Sequence, residues 1–578
     1  MRSSTETALI VPFLVLLSAA SINQEQLKQY NAVGPKTILE LQQFRQTSSI
    51  PIHGPAGKEG TATLVNLSPA IGSWYLLEIK WAGAVEASYH LENAKPRDAT
   101  LVLDAKFPSG ITIIEKGHRV SCGLWGAESG SALEQARTSA LAFYPQCDGR
   151  IYLRNPVSGH STNLEAATEF LREHVWGSEK LIALGHVLMG DAHRESANLE
   201  TGSQTKEAVP QQNDLPSAAS IASKFSDHVL TSANLEIALD GAPKAGLTPG
   251  TWYRTQGNPG VYVSIIAPKL IDPALLTNYQ SSVNALDNVE ASALCYLVTF
   301  DLDRFEIGYE LGTEHPKVGW SDHILDQQKD PKLPGPDGIG TFAPLIATGL
   351  VSPEYTRQTV ATFVGGFKRT HGAFKYGDLA SRSHGSHYGF IEDGVVFSKL
   401  QPGLATVYVL DDSSLAMKTW TEADDALLVR IRHARQNGVP IIEFEQASQT
   451  GIPGAMVNRW GAGNWSGSEL MKLRTMRSGL AIQRNGKKRF LIYAVFSDAT
   501  PSAMARVFQA YHCDYAMLLD MNALEHTYLA VYRRAGTQFF VDHLLKGMDV
   551  LEKPAAGETV PRFLGYSDNR DFFYVMRR

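Results

Sequence analysis

Short apolar runs with strand character dominate the chain after residue 225. The clearest are GVYVSIIAPKLI, ALCYLVTFDLDRFEIGYELG, KKRFLIYAVF, AMLLDMN and HTYLAVYRR, which are rich in β-branched and aromatic residues and are bounded by turn residues or charges. Helical patterns are fewer and do not alternate regularly with the strands. This order favours an α+β domain built on a large mixed β-sheet rather than a doubly wound fold.

One helix in this region is well marked. Thr500 is a favourable N-cap and Pro501 fits the first helical position. The apolar residues that follow at helical spacing are Met504, Val507, Phe508 and Tyr511. We therefore predict a helix that buries one face against the sheet.

Residues 22–190 have a pattern of their own. The runs SWYLLEIKW and TLVLDAKF predict strands, and STNLEAATEFLREHVWG predicts a helix whose Thr162 and Glu165 form a capping box. We interpret this region as a β-rich, sandwich-like domain. The polar stretch 191–224 predicts a linker or long surface loop, and residues 225–578 form the second, catalytic-type domain.

The tryptophans of the first domain leave its role open. Trp74, Trp81 and Trp125 suit a carbohydrate- or wall-binding accessory module if they are exposed, and a hydrophobic core if they are buried. Their spacing does not decide between the two.

The first 21 residues have the layout of an export signal. An apolar run at 8–17 is followed by small residues at 18–21. We predict a secreted or periplasmic protein, with an uncleaved membrane anchor or an ordinary N-terminal segment as the alternatives. Export permits disulfides, and among the four cysteines Cys122 and Cys147 are the favoured pair, whereas Cys295 lies in a core strand and is expected to be a buried free thiol.

Composition and charge exclude some partners. The chain is 44% hydrophobic and 19% charged, with a formal net charge of −6, so it has no global attraction to nucleic acid or to an anionic membrane. We expect no nucleic-acid partner, and membrane contact only through an uncleaved N-terminal segment. No Walker loop, Rossmann fingerprint, zincin histidine pair or Gly-x-Ser-x-Gly elbow is present in the sequence.

A double glycine followed by cations is the first candidate site. Gly365 and Gly366 end an apolar strand, and backbone N–H groups without neighbouring Cβ atoms can approach phosphate or sugar oxygens. Lys368 and His371 add positive charge, and Tyr376 can stack on a sugar or donate a hydrogen bond. The structural alternative is a tight turn on a basic surface.

Two carboxylates at strand ends are candidates for acid or base chemistry. Glu314 follows the strand that ends near residue 312, and Asp520 is the last residue of the apolar run 516–520, with Asn522 in the same loop. A buried Asp needs a partner, so Asp520 either holds the next turn or acts in a site. Glu314 is equally well explained as a surface salt-bridge partner.

Basic residues and histidines near the C-terminus extend the list. Arg477 precedes a strand and suits a bidentate grip on phosphate. We interpret Arg570 and Asp571 as a local pair that braces the last strand. His384 and His387 are compatible with a metal pair or with an ordinary polar loop, which leaves a metal site unknown.

Residues 225–578 resemble the phosphodiester glycosidase family. The resemblance rests on TFVGGFKRTHGAFKYGD, HYGFIEDGVVFSKLQPGLATVYVLDD, RSGLAI, LLDMN and RDFFYV in that order, with GTEHP upstream. It implies an α+β fold, no cofactor, and cleavage of the bond between a sugar's anomeric carbon and a phosphodiester oxygen. Asp520, Glu314 and His371 are then the catalytic candidates, and the substrate-binding candidates are Gly365, Gly366, Lys368, Tyr376, Arg477 and Asn522.

The sequence departs from the family pattern at two points. Val364 stands where members carry an Asn before the paired glycines, and DMNAL replaces a glycine-rich turn. From the resemblance and the export signal together, we expect an exported hydrolase acting on a glycosyl phosphodiester of an envelope or extracellular glycan. The alternatives are a non-catalytic glycan-binding envelope protein on the same fold and a metal-dependent phosphodiesterase.

Overall fold

The computed structural model describes twelve stretches of the chain, which are 38–54, 57–125, 131–163, 165–167, 194–201, 215–241, 246–314, 343–366, 388–459, 473–536, 538–555 and 558–578. The predicted N-terminal signal, most of the predicted helix at 161–177 and the cationic loop after Gly366 lie outside these residues. None of the helices in the described stretches is long and apolar enough to cross a membrane.

Two antiparallel sheets form the N-terminal third. The first has the order β1 (Gln46–His53), β2 (Glu59–Asn66), β3 (Trp74–Trp81), β4 (Ala87–Asn93), β9 (Ile151–Arg154), β8 (Phe143–Gln146), and the second is β5 (Ala99–Val102), β6 (Gly110–Glu115), β7 (His118–Gly123). They share one apolar cluster, in which alternate residues such as Leu77, Leu91 and Ile111 are fully buried. Helix α1 (Ala132–Arg137) packs against the same cluster through Leu133 and Ala136.

The N-terminal third contains the predicted disulfide and the tryptophans Trp74, Trp81 and Trp125, whose exposure the sequence leaves open. Cys122 and Cys147 form the expected disulfide, and Cys295 is a buried free thiol, so both predictions are confirmed. Trp74 and Trp125 are buried and Trp81 is partly buried. Trp74 and Trp125 therefore belong to the hydrophobic core rather than to an exposed glycan-stacking surface, and Trp81 packs against that core.

The predicted linker contains a strand. β10 (Asn198–Thr201) pairs with β11 (His228–Thr231), and the Trp252 indole N–H donates to the Ser217 carbonyl at 2.9 Å. Parts of 191–224 are thus bound to the rest of the protein, because their backbone groups find partners there.

An eight-stranded sheet forms the centre of the protein. Its order is β12 (Tyr253–Arg254), β13 (Val261–Ile266), β14 (Cys295–Asp301), β25 (Lys488–Ala499), β24 (Thr475–Asn485), β26 (Cys513–Met521), β22 (Ile442–Glu445), β23 (Thr450–Pro453). The predicted helix is present as Pro501–Ala510, between β25 and β26, and the Thr500 hydroxyl accepts from the Ala503 N–H as its N-cap. Shorter helices are α2 (Pro273–Thr277), α3 (Asn288–Ser292) and α4 (Pro353–Thr356), so Pro501–Ala510 is α5.

Two five-stranded sheets complete the architecture. One is β15 (Phe305–Glu310), β31 (Phe572–Arg577), β16 (Thr359–Val364), β27 (Leu529–Ala535), β28 (Gln538–His543), and the other is β18 (Val395–Ser398), β17 (Phe390–Glu392), β21 (Ile431–Gln436), β19 (Ala405–Leu410), β20 (Leu415–Thr419). A short hairpin, β29 (Lys553–Ala555) and β30 (Glu558–Val560), lies near the C-terminus. Phe363 stacks on Tyr493 and Phe573, with ring centroids 4.7 and 5.4 Å apart, which joins the first of these sheets to the central one.

The strand order corrects one part of the fold prediction. The sequence predicts a mixed sheet, whereas every strand ladder among the described residues is antiparallel. The described chain is mostly antiparallel β-sheet with a few short helices. β14 is buried on both faces along its whole length and β25 is buried on both faces from residue 490 to 497, and antiparallel hairpins connect such runs without intervening helices.

Candidate functional site

Three strands end or begin at one edge of the first five-stranded sheet. Glu310, the last residue of β15, and Val364, the last residue of β16, both pair with Phe572, the first residue of β31. Residues 568–571 therefore lie beside the double glycine and beside the segment that leads to Glu314. We call the charged side chains that meet here, Glu165, Arg435, Asp520, Arg570 and Asp571, the strand-end cluster.

Asp520 reaches this edge from the central sheet. Its Oδ2 accepts from Arg570 Nη1 at 2.6 Å, and its Oδ1 accepts from the Met521 N–H at 2.8 Å. Arg570 Nη2 donates at 2.9 Å to Oε1 of Glu165, which belongs to the N-terminal third. Burial raises the pKa of Asp520, and the Arg570 charge opposes that rise. The candidate catalytic carboxylate is thus buried and ion-paired.

The second half of the cluster explains the double glycine. Asp571 Oδ2 accepts from Arg435 Nε at 2.8 Å and from the Tyr309 hydroxyl at 2.7 Å. A Cβ on Gly365 would lie 2.8 Å from Asp571 Oδ2, and one on Gly366, whose φ is +141°, would lie 2.9 Å from Arg435 Nη2. Glycine is required at both positions because the buried ion pair lies against the end of β16.

This packing changes the role expected of the backbone amide. The Gly365 N–H donates to the Asp571 carbonyl at 2.9 Å, so it is used within the protein rather than offered to a phosphate. Asn437 then connects the two halves of the cluster. Its amide donates to the carbonyls of Leu518 and Leu519 at 2.8 and 2.6 Å, and its Oδ1 lies 3.2 Å from where a Gly366 Cβ would be. The double glycine and the end of β26 therefore occupy one neighbourhood.

Glu314 and Asn522 lie on the approaches to the cluster. Glu314 is exposed, and its neighbour Thr313 donates its N–H to the Asp568 carbonyl at 3.0 Å, which holds the segment at the same edge. Asn522 follows β26 with φ +84°, and its Oδ1 accepts from the Thr475 hydroxyl at 3.1 Å.

Arg477 points into the protein. Its guanidinium donates to the carbonyls of Ala499 and Leu473, each at 2.8 Å, and to Met521 Sδ at 3.2 Å. Burial lowers its pKa to about 9. The bidentate phosphate grip expected from the sequence does not fit this geometry, because backbone carbonyls take up the donors and the side chain is fully buried.

The remaining sequence candidates cannot be placed. Lys368, His371 and Tyr376, like His384 and His387, lie outside the described residues. Within the stretches that are described, no group of three or more His, Cys, Asp or Glu side chains is arranged to hold a metal ion.

Sequence reasoning missed several partnerships in the cluster. Arg570 and Asp571 were expected to pair with each other, but each pairs with a residue far away in sequence, Asp520 and Arg435. The Glu165 N–H donates to the Thr162 hydroxyl at 3.1 Å, as a capping box requires, yet its carboxylate pairs with Arg570. The sequence signal that could have revealed these partners was the presence of charged residues within a strand-like run. IRHARQ is such a run, and it forms β21 with every residue buried.

A second buried charge cluster joins the N-terminal sheet to the C-terminal sheets. The guanidinium of Arg154 lies 2.5 Å from Glu92, 2.9 Å from Glu310 and 3.3 Å from Glu392. Its Cζ also lies 4.0 Å from the centroid of the Trp74 ring. Burial raises the pKa of Glu310 to about 7 against the pull of Arg154, and burial together with the Glu310 charge raises the pKa of Glu392.

Comparisons with known proteins find only distant likenesses among solved structures. No protein-family model and no curated protein matches the chain. One similar structure is the catalytic domain of zebrafish N-acetylglucosamine-1-phosphodiester alpha-N-acetylglucosaminidase, auto-inhibited by its pro-peptide. The two chains are 10% identical, with a TM-score of 0.28, and the likeness covers 65% of this chain and 100% of that one. A hypothetical protein from Synechocystis is 10% identical with a TM-score of 0.25, over 91% of this chain and 98% of that one. At these TM-scores neither likeness carries an argument about fold or function.

Proposed function

We propose that this chain is an exported hydrolase that cleaves the glycosidic bond of a sugar phosphodiester in an envelope or extracellular glycan. The observation that carries the proposal is the meeting of Asp520 with the double-glycine strand end through Arg570, Asp571 and Asn437. It is supported by where these residues come from, since the double glycine, Asp520, and the Arg570 and Asp571 pair lie in three of the motifs that resemble the phosphodiester glycosidases.

The concentration of buried charge supports a working site. Taking charges out of water costs several kcal/mol per ion, and well-packed apolar residues usually serve stability as well or better. Asp520, Arg570, Arg435 and Asp571 are nevertheless buried together at the ends of strands. Perturbed titrating groups clustered in this way are typical of functional sites.

The chemistry follows from these groups. In the proposed reaction water bonds to the anomeric carbon, the bond from that carbon to the phosphate oxygen breaks, and the electron pair leaves with the phosphate. A phosphate monoester is a weak base, so it leaves with little help from a general acid. The Asp520 carboxylate stabilises the oxocarbenium-like centre, and the exposed Glu314 directs the water and takes its proton. Arg570 stabilises the departing phosphate in competition with its present contact to Glu165.

The remaining predicted residues extend this proposal. His371, Lys368 and Tyr376 bind the phosphate and the sugar from the segment after Gly366, and Asn522 contacts the sugar beside Asp520. Export is supported by the apolar N-terminal run and by the Cys122–Cys147 disulfide, because such bonds persist in oxidising compartments. Mass measurement of the mature protein tests removal of residues 1–21.

A matched pair of variants tests the enzyme. Asp520→Asn and Asp393→Asn each neutralise a buried carboxylate that is paired with an arginine, but the Asp393 pair, with Arg432 at 2.9 Å, lies outside the strand-end cluster. Release of free sugar from a panel of glycosyl 1-(methyl phosphates) should fall by at least about a hundredfold in Asp520→Asn and little in Asp393→Asn. Circular dichroism checks that both variants fold.

The outcomes separate the proposal from its competitors. Full activity in a folded Asp520→Asn protein contradicts it. If Asp520→Asn fails to fold, Glu314→Gln provides the test, because this exposed residue has little influence on packing. Loss of activity with a chelator, with cleavage of the P–O bond, would favour the metal-dependent phosphodiesterase.

One observation favours the non-catalytic alternative. Val364, which stands in place of the family's Asn, is fully buried and cannot replace the amide's hydrogen bonds. On this reading the same fold binds an envelope glycan without cleaving it. Saturable binding of a glycosyl phosphodiester with no sugar released would establish that function.

A further inference from the structure

A cleft of about 570 Å³ opens at the far end of β26 from Asp520. We call it the cationic cleft, and the lining residues used below are Lys418, Thr419, Glu443, Arg484, Arg489 and Tyr515. Along the strand, Tyr515 is separated from Asp520 by about 17 Å at 3.3 Å per residue. The cleft is therefore separate from the strand-end cluster, and neither the sequence motifs nor the proposed reaction gives it a role.

Its cations differ in how they are neutralised. Arg484 Nε donates to Asp514 at 2.9 Å, and Lys418 Nζ donates to Asp424 at 2.7 Å. Arg489 is half-buried, and Nη2 donates to the Leu415 carbonyl. Among the described residues no carboxylate lies within ion-pair distance of Arg489. Within this part of the chain, Arg489 thus lacks the close ion pair that Arg484 and Lys418 each have.

The environment of Arg489 favours a bound anion. Burial and the neighbouring Arg484 charge lower the pKa of Arg489, because both disfavour its charged form, and the Asp514 carboxylate opposes this shift. An anion within reach of both guanidinium groups would remove this penalty. Phosphate and carboxylate match the planar donors of arginine, and such charge-assisted hydrogen bonds are stronger than neutral ones.

Other lining residues of the cleft offer groups of another kind. The Thr419 hydroxyl donates to Glu443 Oε1 at 2.6 Å and lies 3.0 Å from the Tyr515 hydroxyl, so three strands place hydroxyl and carboxylate oxygens side by side. Such oxygens suit the hydroxyl groups of a sugar. The volume also falls within the range of about 300–1,000 Å³ that is usual for small-ligand sites.

The geometry points to a phosphorylated sugar as the ligand of the cationic cleft. Arg489 and Arg484 hold the phosphate, and Glu443, Thr419 and Tyr515 hold the sugar hydroxyls. This site is independent of hydrolysis at Asp520.

Calorimetric titration with glucose 1-phosphate, inorganic phosphate and glucose tests the site. Glucose 1-phosphate should bind more tightly than the other two. Arg489→Gln and Arg484→Gln should each weaken its binding by about tenfold or more, as expected for loss of a charge-assisted hydrogen bond. Arg430→Gln is the matched control for Arg484→Gln, because Arg430 is likewise exposed and paired with an aspartate, Asp411 at 2.8 Å, but does not line the cleft.

Three results would overturn all or part of the assignment of a phosphorylated sugar to the cationic cleft. No binding of glucose 1-phosphate, or equal weakening by Arg430→Gln, would overturn the assignment, and equal affinity for inorganic phosphate would overturn the sugar part of it. If Arg489→Gln does not fold, the exposed Arg484 carries the test. The Asp520→Asn protein should retain full binding, which separates a failure of this site from a failure of the proposed enzyme.

Discussion

Replacing Arg154 by Met should produce a loss of stability that depends strongly on pH. Arg154 is the shared partner of three buried carboxylates, Glu92, Glu310 and Glu392. Methionine keeps much of the side-chain volume but supplies no charge. The three carboxyl groups would then face one another inside the protein, where their ionised forms are costly.

The size of the effect follows from the contacts. Removing one partner of a buried ion pair costs about 3–5 kcal/mol, so at pH 8, where all three carboxyls are driven towards ionisation, the free energy of unfolding should fall by at least that range. Near pH 5 the carboxyls of the variant remain protonated in the folded state. Only hydrogen bonds and the packing against Trp74 are then lost, which amounts to about 1–2 kcal/mol.

Urea unfolding followed by circular dichroism at both pH values measures the difference. Adding Glu392→Gln to the Arg154→Met protein should recover part of the loss at pH 8, since one buried negative charge disappears. Arg430→Met, which removes an exposed ion pair, should leave stability unchanged at both pH values. A loss of equal size at pH 5 and pH 8 would refute the reasoning.

Three further predictions concern single features. The contribution of Glu310 to stability should fall by up to about 3 kcal/mol as the pH rises from 4.5 to 7, because its folded-state pKa is raised from 4.5 to about 7. In unfolding over a pH series, the stability of Glu310→Gln relative to the wild type should therefore rise by about this amount, and a difference that does not change with pH would contradict this. Replacing Cys122 and Cys147 by Ser should cost about 3 kcal/mol, given the 25-residue separation, and dithiothreitol should lower the melting temperature of the wild type but not of this variant. Gly366→Ala should destabilise by about 1–3 kcal/mol, because φ is +141° and the new Cβ would lie 2.9 Å from Arg435; a variant as stable as the wild type in urea would show that this strand end is not constrained.

Much of the local structure could be predicted because its signals are local. Thr500 and Pro501 mark the start of α5, and apolar runs such as 293–301 mark strands, since propensity and capping act over a few residues. The pairing of Cys122 with Cys147 also followed from their short separation. The antiparallel pairing throughout the described sheets was not predicted, because strand direction depends on connections that apolar patterns do not encode.

The site candidates likewise divide into features that local sequence predicts and partners that only the fold brings together. The sequence identified Asp520 as a buried carboxylate in need of a partner, and it singled out the double glycine. It could not name the partners, because Arg570 lies 50 residues from Asp520 and Arg435 lies 136 residues from Asp571. It also missed Glu165, whose capping position concealed its contact with Arg570.

The sequence by itself determined where strands and α5 form, which cysteines are bridged, and which positions need glycine or a buried partner. These properties depend on the chemistry of neighbouring residues. Only the tertiary structure decided that glycines 365 and 366 make room for an ion pair, that Arg477 faces backbone carbonyls, and that Arg489 lies in a cleft. The physical reason is that the energy of a buried charge is set by the atoms around it, and folding brings those atoms from distant parts of the chain.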